Sequence, residues 1–180
     1  MNHIARISVL TLLILSAATG NAENVTVVQD FDKMYRTDKT LTTDKDYLVG
    51  TTDFVTYTCS GTGARFFLDL VYNSKISINL PNRGSTVTTT QIEDLHGFQL
   101  HCYTTKNNPP DLKIYLSKDG VDFGEPLTAD HISVRGTSVD VSFPLEDYYI
   151  RIVNADGSPQ VSINAIEYYM DHCPKCFTYR

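Results

Sequence analysis

The chain has 180 residues and a formal net charge of −6, with 11 Tyr, 8 Phe and no Trp. The acidic balance disfavours binding to nucleic-acid phosphates, which Lys and Arg would have to neutralise. The length suits one packed domain with its own core and leaves no room for two.

At the start, Arg6 precedes the apolar run Ile7 to Leu15 and the small-residue stretch Ser16 to Ala22. A basic start, an apolar middle and a small-x-small exit make a signal peptide, with residues 1–22 removed after Gly20-Asn21-Ala22. Polar residues follow too soon for the roughly 20 apolar residues that a bilayer span needs, and no later segment is apolar enough to cross. The product is expected to be secreted or periplasmic. Cleavage leaves 158 of the 180 residues and moves the charge to −7, because Arg6 departs without an acid. Asn24-Val25-Thr26 is a glycosylation sequon if the source is eukaryotic.

The rest of the chain divides into a sandwich domain, 23–170, and a cysteine-containing tail, 171–180. From Val25 onward, short alternating segments separated by Gly, Pro, Asn and Asp predict strands, and the abundance of Thr, Val, Ile and Tyr agrees. In chain order they are Val25 to Gln29, Phe54 to Cys59, Arg65 to Val71, Lys75 to Leu80, Thr86 to Ile92, Phe98 to Tyr103, Leu112 to Ser117, Ser138 to Phe143, Tyr148 to Val153 and Val161 to Tyr169. Asp30 to Asp53 shows no period and reads as a long loop or a short strand. No amphipathic helix intervenes, so parallel crossovers are disfavoured. The expected fold is all-β, an antiparallel sandwich or jelly roll.

Successive strand residues point to opposite faces. Phe98, Leu100 and Cys102 therefore oppose Gln99, His101 and Tyr103; Leu112, Ile114 and Leu116 oppose Lys113, Tyr115 and Ser117; Tyr148, Ile150 and Ile152 oppose Tyr149, Arg151 and Val153. The first set of each is the core. If the three strands share a sheet, His101, Tyr103, Lys113, Tyr115, Tyr149 and Arg151 form one aromatic and basic outer face. Aromatic rings stack on the apolar faces of sugars, and cations pair with uronate carboxylates, so the face suits a polysaccharide or surface glycan, including an acidic one.

Four cysteines, Cys59, Cys102, Cys173 and Cys176, can pair in three ways. Cys59 with Cys102 is the preferred pair, since both lie in strand segments, and Cys173 with Cys176 then closes a small C-terminal ring. A zinc site built on His172, Cys173 and Cys176 is the alternative for that ring. No catalytic carboxylate pair, spaced histidines or nucleophile elbow appears, which argues against an enzyme. No cofactor is called for, although Asp119, Asp122 and Asp156 could hold a structural calcium.

The stretch Leu112 to Phe123, a strand running into Ser117-Lys118-Asp119-Gly120 and an aromatic, resembles a strand and turn of bacterial secreted jelly-roll accessory domains. Tyr148 to Asn154 and Val161 to Tyr168 resemble their last two strands. Such domains occur attached to pectate lyases and are similar in fold to carbohydrate-binding modules. The resemblance implies an exported, non-catalytic module that binds a polysaccharide. A structural or adhesive protein that binds another protein is the alternative, and a small lyase or hydrolase the least favoured.

Overall fold

Alternation of apolar and polar residues is realised along most of the chain, and a computed structural model shows how the resulting strands are paired. It describes residues 25–31, 48–52, 54–69, 75–81, 83–104, 109–155 and 160–171. The leader, Asp156, His172, Cys173 and Cys176 lie outside the described residues. The strands are β1 (Val25–Asp30), β2 (Val49–Thr51), β3 (Thr56–Ser60), β4 (Arg65–Asp69), β5 (Lys75–Leu80), β6 (Thr86–Thr89), β7 (Ile92–Thr104), β8 (Leu112–Ser117), β9 (Ile132–Arg135), β10 (Ser138–Asn154) and β11 (Val161–Met170). A single 3-10 turn, Ala129–His131, precedes β9.

All pairings are antiparallel, and they build two layers of an all-β sandwich. The front layer runs β2-β3-β6-β10-β8. The back layer runs β9-β10-β7-β11, with β1 and β5 side by side along the far edge of β11 and β4 beyond β5. Strand β10 serves both. Its first part pairs with β7 and β9, and its last six residues, Tyr149 to Asn154, pair with β8.

The sequence suggests two strands here, broken near Pro144. The structure instead carries one strand through a register shift between Ser142 and Glu146 and another between Glu146 and Tyr148. Proline has no N–H to offer the ladder, so the strand tolerates it at a bulge, and the bulge bends the strand from one layer to the other. Strand β2 is a short strand within the segment expected to be a long loop or a short strand, and β9, which the sequence does not signal, has three of its four residues exposed and so shows no alternation.

The inward sets meet between the layers. Phe98 and Leu100 of β7, Ile114 of β8, and Ile150 and Ile152 of β10 are all buried, as alternation requires. Tyr57 of β3 and Tyr168 of β11 come from opposite layers, and their hydroxyls lie 3.1 Å apart in the core. Phe31 packs edge-on against Tyr57 at 5.4 Å and Phe66 at 6.2 Å, while Phe143 packs edge-on against Tyr148 at 5.1 Å. Each fully buried aromatic of this kind contributes about 1.5–3 kcal/mol. The Tyr57 to Tyr168 bond satisfies two polar groups that would otherwise cost about 1–3 kcal/mol each.

Candidate functional site on the front layer

The front layer turns to solvent the outward parity of each strand. Thr58, Thr88, Arg151 and Tyr115 stand in one row across β3, β6, β10 and β8, because each is the register partner of the next. Ser60, Thr86, Val153 and Lys113 form the adjacent row. On the other side, Tyr149 is opposite Ser117, and Thr51 is opposite Thr56. The face is thus rich in hydroxyls, with its aromatic and cationic residues gathered at the β10 and β8 end.

Beside Tyr149 the face sinks into a groove of about 460 Å³ lined by Thr51, Thr52, Phe54, Val55, Thr56, Thr90, Gln91 and Tyr149. Its walls are tied to the backbone. The Thr52 hydroxyl donates to the Val55 carbonyl at 3.0 Å and accepts the Val55 N–H at 2.9 Å, closing the turn between β2 and β3. Thr90 Oγ1 accepts the Thr56 N–H at 3.1 Å, and the Thr90 N–H donates to the Thr56 carbonyl at 2.8 Å. Thr51 and Thr56 share a hydroxyl contact of 3.1 Å. Bonds of this kind remove side-chain freedom before any ligand arrives, which lowers the entropic cost of binding.

The segment after β8 holds Tyr149 and Arg151 from the other side. Gly120 has φ +74°, and a Cβ there would lie 3.0 Å from Tyr149 ring atoms, so only glycine permits both the turn and the close approach. Arg151 places its guanidinium carbon 3.8 Å from the centre of the Phe123 ring. Phe123 is buried yet stands apart from the main core cluster. The turn is closed by Asp119, whose Oδ1 accepts Ser117 Oγ at 2.8 Å, the Val121 N–H at 2.8 Å and the Asp122 N–H at 3.0 Å. The two backbone bonds, then the Ser117 bond, hold this carboxyl below its ordinary pKa. Asp122 Oδ1 likewise accepts the Gly124 N–H at 3.0 Å. Both carboxylates that the sequence offers to calcium in this turn act as acceptors for its own backbone. A hollow of about 360 Å³ lies beside the turn, lined in part by Asp122, Phe123, Lys118 and Tyr148. Lys118 forms an ion pair with Glu146 of the β10 bulge, which raises the lysine pKa.

The six residues expected on one face are divided between two. Lys113, Tyr115, Tyr149 and Arg151 lie together on the front layer, but His101 and Tyr103 belong to β7 in the back layer. The error came from adjacency. β7 pairs with β11 and with the first part of β10, whereas Tyr149 and Arg151 sit past the bulge in the other layer. On the back face His101 Nε2 lies 2.8 Å from Glu167 Oε1, and the Gln99 amide donates to Asp140. Of the six, Tyr149 is the one that lines the groove. Thr51, Thr56, Thr90 and Gln91 were missed, although the T-x-T alternation of Thr56-Tyr57-Thr58 and Thr86-Val87-Thr88 signals hydroxyls on the outward parity.

The expected Cys59–Cys102 bridge is not formed in the structure, while the expected Cys173–Cys176 ring lies outside the described residues. Cys59 and Cys102 are free and buried. They lie on β3 of the front layer and β7 of the back layer. Burial pushes both thiols up to about 12. Among the described residues no helix is long and apolar enough to cross a membrane, and no group of three or more His, Cys, Asp and Glu could hold a metal ion.

No protein-family model and no curated protein matches the chain. Among solved structures, a family two carbohydrate esterase from Cellvibrio japonicus is similar at a TM-score of 0.45 and 9% identity, over 82% of this chain and 34% of that one. This chain therefore spans about a third of the esterase. A low affinity xylan binding module, CBM86, from the gut symbiont Roseburia intestinalis is similar at a TM-score of 0.38 and 12% identity, over 81% of this chain and 96% of that one.

Proposed function

We propose that the protein is an exported, non-catalytic module that binds a glycan in the groove beside Tyr149. The observation that carries the reading is a half-buried tyrosine ring held against Gly120, forming one wall of a groove whose other walls present threonine hydroxyls and the Gln91 amide. A sugar ring offers both an apolar face and a rim of hydroxyls. An aromatic side chain and short fixed polar groups complement these two features together. Recognition of this kind requires no ionisable group to change state.

The test is retention on a panel of immobilised polysaccharides, with Tyr149→Ala as the decisive variant. Stacking of one ring contributes on the order of 1 kcal/mol, so affinity should fall about fivefold while the melting temperature stays within a degree or two. Unchanged binding in a folded Tyr149→Ala protein would remove the groove from the function. Release of reducing sugar from any bound polymer would show an enzyme instead.

A further inference from the structure

Resting on the glycan reading of this groove, we infer that the ligand is an uncharged polysaccharide chain lying across the strands, from Tyr149 of β10 over Thr90 and Thr56 to Thr51 of β2. The lining supplies the first argument. All the described lining residues are Thr, Gln, Val, Phe or Tyr, so polymer hydroxyls find donors and acceptors there but a carboxylate finds no cation. A uronate brought into the groove would lose water without gaining an ion pair, which is costly in a partly buried site.

The cations of this face are placed elsewhere. Arg151 lies one row away with its guanidinium on the Phe123 ring, an arrangement that fastens the segment after β8 to the sheet. Lys113 lies a further row away, opposite Val153 at the β8 edge. The negative charge of the chain adds a long-range term against polyanions.

The direction follows from register. Thr51 is paired with Thr56, and Thr56 exchanges backbone and side-chain bonds with Thr90, so these hydroxyls step from strand to strand toward Tyr149. Three strand spacings carry the row over about 14 Å, a length that exceeds one sugar ring. The site therefore reads a chain rather than a terminal sugar.

The experiment measures affinity for a neutral β-glucan and for polygalacturonate, with oligosaccharides of increasing length, for the wild-type protein, Tyr149→Ala, Thr51→Val and Lys113→Gln. The neutral polymer should bind, with little dependence on salt and with affinity rising over the first few sugar units. Thr51→Val should weaken it about two- to tenfold, as loss of one hydrogen bond does, and Lys113→Gln should leave it unchanged. Preference for polygalacturonate, still lost in Tyr149→Ala, would overturn the uncharged ligand and leave the groove standing. Neutral binding indifferent to Thr51→Val and to chain length would overturn the path across the strands. Failure to bind either polymer, or any member of the wider panel, would overturn the glycan reading itself.

Discussion

The two outer faces of the sandwich are made from the same strand types, yet they are finished differently. On the back face the outward residues of β7, β10 and β11 bind one another: His101 with Glu167, and Gln99 with Asp140, whose second oxygen lies 4.0 Å from Arg135 Nε. On the front face the outward residues are hydroxyls and aromatics, and the sheet sinks into a groove beside Tyr149. Charged side chains on neighbouring strands satisfy one another and level a surface. Threonine hydroxyls carry no charge to neutralise, and even where Thr51 and Thr56 touch across β2 and β3 they keep acceptor capacity for a ligand. A sheet face becomes available for a ligand where its side chains are rigid and polar but not mutually neutralised.

High pH should break both faces at once, because they rest on one core. Cys59 and Cys102 titrate near 9 when unfolded and are held to about 12 by burial. Burial also raises Tyr57 and Tyr168, with the mutual contact as a lesser influence. In each case the folded state retains a proton that the unfolded state gives up, so stability is complete below about pH 9 and falls as pH climbs toward 12. Denaturant midpoints measured from pH 7 to 11 should drop steeply above 9, and both thiols should resist alkylation at neutral pH until the protein is unfolded.

A pair of glycines separates the faces. Gly120 and Gly136 both have positive φ, at +74° and +62°, but a Cβ at Gly120 would press on the Tyr149 ring while one at Gly136 meets nothing within 4 Å. Gly120→Ala should cost more than the roughly 1–2 kcal/mol of left-handed strain, and it should weaken glycan binding at least as much as Tyr149→Ala. Gly136→Ala should cost the strain alone and leave binding intact. Equal effects in thermal melts and binding assays would mean that Gly120 does not position the tyrosine.

Smaller effects belong to the back face. Tyr103→Ala and His101→Ala should leave glycan affinity within twofold of wild type, since neither residue lies on the grooved face; a clear loss would move the site to the other layer. Glu167→Gln removes the partner of a half-exposed histidine and should change stability by less than about 1 kcal/mol. Calorimetry at pH 6 in low and high salt would detect even that change, which salt should diminish.

Much of this was decided by local pattern. Alternation in β7, β8 and β10 places Phe98, Ile114 and Ile150 inside and Tyr103, Tyr115 and Tyr149 on the outward parity, because the strand period of two is a property of the backbone. The Asp119-Gly120 turn is legible for the same reason, since it needs a local acceptor and a residue that accepts positive φ. What the sequence could not determine was which strands become neighbours. Pro144 reads as a break, yet β10 continues through a bulge into the other layer, and that single passage separates His101 and Tyr103 from Tyr149 and Arg151 and puts β3 and β7 in opposite layers. Long-range pairing depends on how whole faces bury one another, which no local window contains. The groove shows the same limit: Thr51, Thr56, Thr90 and Tyr149 come from four separate segments, and only the packed sheet brings them together.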